Sequence, residues 1–169
     1  NKRKLGVEYL KNTLAPAHKE MMAKEYNFEL KALTIYQKMI NDMEVKTNKK
    51  TKMKRDVTEE EAAADPNVKA VLSQRSKDLQ EVCQMFLARI LGSLTTLPYG
   101  LRLICSQIRK LLLDKFPKTK PDDIWAVLGY LVYYRFINVA IIQPDSFDIG
   151  GRDLNLTVRK NLAVVGKVL

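Results

Sequence analysis

Few side chains in this sequence have the types and spacing that catalytic or metal chemistry requires. The single histidine, His18, has no partner motif, and Cys83 and Cys105 lie among apolar residues at helical spacing with no CxxC pair. We therefore expect no zinc site, no nucleophile–base set and no cofactor, and we expect His18 at the surface or at its boundary. Asp122 and Asp123 resemble charges at a helix start rather than an acid/base pair.

Phosphate-binding motifs are also missing from the sequence. Gly166–Lys167 is followed by Val168 rather than by serine or threonine, and Asn161 stands where a phosphate-binding loop needs its first glycine. No GxGxxG occurs. These absences favour a binding module over an enzyme.

The composition indicates a helical globular protein with a basic surface. Of 169 residues, 46% are hydrophobic and only 7 are glycine and 6 proline, which leaves few turns for an all-β fold. The net charge of +10 favours acidic partners such as a protein surface, an anionic membrane or nucleic acid. No signal peptide or DNA- or RNA-reading motif is visible, so we expect a cytoplasmic protein. Six cations crowd into a basic loop at 44–57, which we interpret first as a solvated loop: Lys46, Lys49, Lys50, Lys52, Lys54 and Arg55.

Apolar periodicity and capping residues predict helices along the whole chain. The first two are predicted at 5–25, interrupted or kinked at Pro16, and at 28–43. Thr58 with Glu61 is a capping box, and Asp65–Pro66 starts the long amphipathic helix at 68–94. A helix from Pro98 is expected to turn five apolar residues inward: Leu101, Ile104, Ile108, Leu111 and Leu112. Further helices begin at Pro121 and near Thr157, and Gly150–Gly151 mark a loop between them.

The segment at 124–142, IWAVLGYLVYYRFINVAII, is apolar on every face. Its length nearly suffices for a membrane span of roughly 20 residues, but Arg135 lies deep within it and three tyrosines lie at its middle. We therefore predict an all-α fold in which this segment is a central buried helix, and no transmembrane segment. A buried Arg135 needs partners: it either bonds carbonyls of a neighbouring loop or, with Asn138, braces a recognition loop or touches a ligand. The chemistry alone leaves both open.

The order of several short motifs resembles the Ras GTPase-activating (RasGAP) domain and, within it, the IQGAP scaffolds. The residues that carry this resemblance are LPYGLR at 97–102, DKFP at 114–117, YYRFINVAI at 133–141, PDSFDI at 144–149 and DVTEEEA at 56–62. The family signature reads Phe-Leu-Arg-Phe-Ile-Asn-Pro-Ala-Ile, so Val139 stands in place of its proline. The resemblance implies a RasGAP-related domain over 1–169, covering the later part of the family's domain and truncated at both ends.

Site residues follow from the resemblance position by position. Arg135 matches the signature arginine that steadies the finger loop, with Tyr134 beside it as part of the brace. Asn138 matches the signature asparagine, Lys167 matches a lysine presented to the GTPase switch region, and Arg102 matches the arginine after the LPYG turn. The catalytic arginine finger of the family belongs to a loop that precedes Asn1.

The resemblance implies a non-catalytic scaffold module that binds GTP-loaded Rho-family GTPases and serves actin organisation and cytokinesis. Actin and calmodulin would be bound by other domains of the full protein, at the actin cortex or division ring. One alternative is a genuine Ras-type GTPase-activating domain whose finger lies upstream. Another is an electrostatic binder of anionic lipid or nucleic acid through the basic loop, with steep salt dependence and no preference for nucleotide state.

Overall fold

The chain is mostly helical in the part that the structure describes. The structure is a computed structural model that describes residues 2–150 and 154–169, with side chains from residue 5 onward. Every regular element in these ranges is a helix, which confirms the all-α prediction. The α-helices are α1 (Lys2–Met22), α2 (Ala32–Thr47), α3 (Glu59–Ala64), α4 (Pro66–Gly92), α5 (Tyr99–Lys115), α6 (Pro121–Gly129), α7 (Asn138–Ile142) and α8 (Leu156–Val168). A π-helical segment (Tyr130–Ile137) joins α6 to α7, and short 3₁₀ turns lie at Leu94–Thr96 and Pro144–Phe147.

Two compact units divide the chain. The first contains Asn1–Glu25 and Val82–Leu169, and the second contains Tyr26–Glu81. The second unit has its own apolar core, formed by residues of α2, α3 and α4: Ala32, Ile35, Tyr36, Ile40, Ala62 and Val68. In the first unit, fully buried side chains come from α1, α4, the π-helical segment, α7, α8 and the loop after Phe147. The largest are Leu10, Leu14, Phe86, Ile137, Ile141, Ile149 and Leu162.

The local capping signals are confirmed. The Thr58 hydroxyl accepts the N–H of Glu61 at 3.2 Å, and the Glu61 carboxylate accepts the N–H of Thr58 at 2.9 Å, so α3 begins with a complete capping box. The Asp65 carboxylate accepts the N–H groups of Asn67 and Val68 at 2.8 and 3.2 Å, which starts α4 at Pro66.

Two predicted boundaries are wrong. Helix α2 begins at Ala32 rather than at residue 28, because the carboxylate of Glu59 accepts the N–H groups of Ala32 and Leu33 at 2.7 and 3.2 Å. Its last turn extends to Thr47, so the basic loop begins at Asn48 and not at residue 44.

Helix α1 runs without interruption through Pro16, whose side chain is exposed.

The helix that continues from Pro121 to Ile142 is buried on one side only. Ile124, Leu128 and Ile137 are buried, whereas Trp125 is 58% exposed and Tyr134 is 52% exposed. The predicted central buried helix is therefore buried along one face only. Among the described residues its neighbouring helices are α1, α5 and α8. By length and apolar composition alone this helix also passes as a possible membrane span, and about one third of its most apolar window is buried.

Helix α5 also differs from the prediction. Of the five residues expected to face inward, Ile104 is 51% exposed and Leu111 is 66% exposed, and no α5 residue is fully buried. Within the described residues α5 has helical contacts with α6, and its outer apolar face is uncovered.

Candidate functional site

The signature residues lie on a π-helical segment. Between Tyr130 and Ile137 the backbone is wound more widely than in an α-helix, and the N–H of Asn138 is bonded to the carbonyl of Tyr133, five residues earlier. π-Helical turns are rare and occur frequently at functional sites. The wider turn brings residues five apart to the same side, so the Arg135 guanidinium lies 5.5 Å from the centre of the Tyr130 ring. The Tyr134 ring stacks on the same Tyr130 ring, with centroids 5.1 Å apart.

The predicted brace role of Arg135 and Tyr134 stays a prediction, because the described residues show no bracing contact. Arg135 and Tyr134 are exposed, and Arg135 makes no hydrogen bond or ion pair to any described residue. The physical reason is the phase of the helix. Ile137 and Asn138 point into the core, which turns Arg135 and Tyr134 toward solvent. Arg135 is therefore an exposed cation in cation–π contact with the Tyr130 ring.

Asn138 is the buried member of the predicted set. Its side chain is 4% exposed, and its Oδ1 has no hydrogen-bond partner among the described residues. Gly166 of α8 explains the close approach, because a Cβ on Gly166 would lie 2.6 Å from the Asn138 Oδ1 and 2.7 Å from Cγ1 of Ile142. The glycine lets α7 and α8 pack against each other at this point.

Lys167 follows Gly166 directly and is exposed. Its backbone is fixed by the contact between Gly166 and Asn138, so the structure brings Lys167 and Asn138 together at one edge of the α7–α8 contact. Arg102 is exposed on α5 and has no hydrogen bond or ion pair in the described ranges. The four predicted residues therefore divide into three exposed cations and one buried amide.

Val139 continues the helix where the family signature has proline. The carbonyl of Val139 accepts the N–H of Gln143 at 2.9 Å, and the side chain is 38% exposed. Helix α7 passes through this position without interruption to Ile142, because valine supplies the backbone N–H that proline lacks.

His18 lies in the core, whereas its lack of a partner motif predicted a place at the surface or its boundary. It is fully buried, with Nδ1 2.9 Å from the carbonyl oxygen of Leu14 and Nε2 3.1 Å from that of Ile141. Its ring also meets Phe86 edge-on, with centroids 5.1 Å apart. Burial lowers the pKa of His18, against the opposing effect of the two carbonyls. The signal available in the sequence was its spacing: His18 lies four residues after Leu14, on the apolar face of α1.

Tyr133 carries a second buried polar atom in this region. Its hydroxyl has no partner in the described part of the chain, and burial, with a smaller contribution from Cys83, raises the pKa of Tyr133 to about 12. Cys83 and Cys105 are free thiols. Among the described residues no three His, Cys, Asp or Glu side chains are grouped to hold a metal ion.

The basic loop of the second unit projects its cations into solvent. All six cations of the predicted loop are exposed, including Lys46 on the last turn of α2. Arg55 pairs with Glu44, and Lys54 Nζ is 3.9 Å from Glu61 Oε1. The N–H of Thr51 and the Arg55 guanidinium lower the pKa of Glu44, which therefore remains ionised at neutral pH.

Comparison with known proteins identifies the family. Residues 1–169 match RasGAP, described as GTPase-activator protein for Ras-like GTPase. The chain is 41% identical over 169 residues to "Ras GTPase-activating-like protein rgaA" of Dictyostelium discoideum and 36% identical over 174 residues to human "Ras GTPase-activating-like protein IQGAP2". Both alignments cover 100% of this chain. "Ras GTPase-activating-like protein rng2" of Schizosaccharomyces pombe is 24% identical over 96% of this chain.

The chain spans 21% of the length of the first of these relatives and 11% of each of the other two. These relatives confirm the resemblance to IQGAP-type proteins, and the all-helical fold agrees with it. The match over every residue shows that this chain belongs to the RasGAP family and is a GTPase-related regulatory module.

Proposed function

We propose that this chain binds a GTP-loaded Rho-family small GTPase without accelerating GTP hydrolysis by itself. The single observation that carries the proposal is Lys167, an exposed cation whose backbone is held in place by the packing of Gly166 on Asn138. A fixed cation at the edge of a helix pair suits an acidic protein surface, because opposite charges steer encounter and fix register.

Arg135 and Arg102 support the same proposal as further exposed cations of the first unit. Arg135 is held over Tyr130, so less side-chain freedom is lost when it contacts a carboxylate. Asn138 is too buried to touch a GTPase, and its proposed role is to position α8 beneath Lys167. The basic loop contributes to long-range attraction through its charge.

The proposal of no catalysis rests on the resemblance and on the chemistry of phosphoryl transfer. An arginine finger is worth about 10³–10⁵ in rate because it compensates charge in the transition state. The resemblance assigns the finger to a loop before residue 1, and none of the three exposed cations corresponds to it. The link to actin organisation and cytokinesis, the cortical or division-ring location, and partners such as actin and calmodulin are proposals for the whole protein.

The test compares the affinity of wild type, Lys167→Glu and Lys38→Glu for the GTP-loaded GTPase. Lys38 is the matched control, since it is an exposed lysine of α2 in the second unit and its substitution changes the net charge equally. We expect Lys167→Glu to weaken binding by at least several-fold at low salt and less at high salt, with Lys38→Glu near wild type. Equal affinities of all three proteins at low salt would remove Lys167 from the interface.

A second candidate function is GTPase activation of the Ras type. The observation in its favour is the family match itself, whose description is that of an activator, and the names of the relatives. Single-turnover GTP hydrolysis with the chain in catalytic amounts distinguishes the two: the lead proposal expects the intrinsic rate, and activation expects an increase of orders of magnitude.

A further inference from the structure

The segment at 45–55, here named the basic segment, is an exposed, strongly basic part of the second unit. It contains six lysines and arginines and no acidic residue. It comprises the last turn of α2 and the loop that follows. All of its cations are exposed, and its backbone is nevertheless held at several points.

The backbone of the basic segment is anchored to α2 and to the core of its unit. Asn48 adopts a left-handed conformation, with φ of 51°, that ends α2. The carboxylate of Glu44 accepts the N–H of Thr51 at 3.0 Å, and the Tyr36 hydroxyl donates to the carbonyl of Lys54 at 3.1 Å. Met53 packs against the apolar core of the second unit. The lysine side chains therefore extend from a defined support.

The lysine charges of this segment are largely uncompensated. Within the described residues Lys46, Lys49 and Lys52 have no carboxylate at ion-pairing distance. Arg55 is paired with Glu44, and Lys54 Nζ lies 3.9 Å from Glu61 Oε1. Three or more free ammonium groups on a short loop make a local positive surface, which a polyanion would neutralise.

Apolar exposure at the same place indicates which kind of polyanion. Val45 is 82% exposed, the highest fraction among the exposed large hydrophobic residues, and it directly precedes Lys46. Met43, two residues before it, is 39% exposed. A phosphate backbone offers no apolar layer for such side chains, whereas a lipid interface accepts both a cation at the headgroups and a short apolar side chain beneath them. The basic segment contains no aromatic residue on which a nucleic-acid base could stack.

We propose that the basic segment is a peripheral docking surface for an anionic lipid bilayer, with its lysines at the headgroups and Val45 inserted among them. The proposal concerns the second unit and is independent of GTPase binding. A lysine near a negatively charged membrane contributes about fivefold to partitioning. Removing three lysines should therefore weaken binding on the order of 100-fold.

The experiment is vesicle co-sedimentation of the full 169-residue chain. Vesicles of phosphatidylcholine are compared with vesicles containing roughly 30% phosphatidylserine, at low and at physiological salt. The loop variant is Lys46→Gln/Lys49→Gln/Lys52→Gln. The matched control, Lys38→Gln/Lys69→Gln/Lys77→Gln, makes the same change in net charge at exposed positions of α2 and α4 outside the basic segment. Val45→Asn removes the apolar contact without changing charge, and binding to single-stranded poly(U) is measured for every protein.

The expected result is salt-sensitive binding to the phosphatidylserine vesicles only. The loop variant should lose on the order of 100-fold and Val45→Asn up to about tenfold, while the control triple variant stays within severalfold of wild type. All substituted side chains are exposed, and melting curves are recorded to check that each variant is folded. Equal losses in both triple variants would show a net-charge effect and overturn the proposal. The proposal would also be overturned if Val45→Asn left vesicle binding unchanged while the loop variant lost binding to poly(U). That outcome would indicate a nucleic-acid surface.

Discussion

Replacing Gly166 by alanine places a methyl group where the structure has no room for it. The new Cβ would lie 2.6 Å from the Asn138 Oδ1, and 2.7 and 2.8 Å from Cγ1 and Cδ1 of Ile142. All three distances are shorter than a normal van der Waals contact. The Ile142 side chain can adopt another rotamer, but the Asn138 side chain is buried and cannot move away. Part of the strain must therefore be relieved by separating α7 from α8.

Two opposing effects set the magnitude of this change. Gly→Ala inside a helix is intrinsically favourable by about 0.5–1 kcal/mol, whereas one extra methyl group in a packed contact costs about 1–3 kcal/mol. Gly129→Ala is the matched control, because Gly129 has helical angles and a methyl group added to it would meet no atom within 4 Å outside its own stretch of helix. The free energies of unfolding of the two variants should therefore differ by about 1–3 kcal/mol, with Gly129→Ala the more stable.

Urea unfolding followed by circular dichroism measures this difference. We also expect Gly166→Ala to weaken GTPase binding, since Lys167 is displaced with α8, whereas Gly129→Ala should leave it unchanged. A Gly166→Ala variant as stable as Gly129→Ala would refute the close approach of α7 and α8 and with it the fixed position of Lys167.

Three further predictions concern stability and titration. The pKa of His18 is lowered in the folded state, so the unfolded chain binds more protons near and below the ordinary value of 6.5. The free energy of unfolding should therefore be highest above that pH and fall as the pH is lowered through it. Urea titrations at several pH values measure this dependence, and His18→Gln should abolish it. Stability that rises on acidification would contradict it. Thr58→Ala should cost about 1 kcal/mol through loss of the α3 cap, with Thr58→Ser close to wild type in the same assay. Tyr133 should titrate with a pKa of about 12, and its absorbance step should vanish in Tyr133→Phe. An unchanged titration curve in that variant would show the assignment to be wrong.

Short-range signals in the sequence were sufficient for much of the fold. The caps at Thr58 and Asp65 act on N–H groups two or three residues away, so their chemistry is visible in a short window. The start of α2 was not predictable in that way, because Glu59, which caps it, is 27 residues from Ala32. The spacing of apolar residues predicted where the helices lie better than it predicted how buried they are. Periodicity shows which residues share a helix face, but it does not show whether another element covers that face.

The candidate site was also only partly predictable from the sequence. The resemblance selected Lys167 and Arg102, and both are exposed as a binding role requires. Arg135 was expected to be buried because its neighbours are apolar, but the π-helical winding, which no local pattern announced, turns it toward Tyr130. His18 was misplaced for the converse reason: a lone polar residue was assigned to the surface. In the core its two ring nitrogens lie at hydrogen-bond distance from the carbonyls of Leu14 and Ile141, and the neutral ring can donate to one of them.

The dependence of binding on nucleotide state is the most direct test of the central claim. The chain, and the full domain beside it, would be titrated with Rho- and Ras-family GTPases loaded with GTP or GDP, and hydrolysis would be followed in the same samples. We predict tighter binding of a GTP-loaded Rho-family protein than of its GDP form, with hydrolysis at the intrinsic rate. Equal affinity for both nucleotide states, or accelerated hydrolysis by the chain alone, would contradict the account.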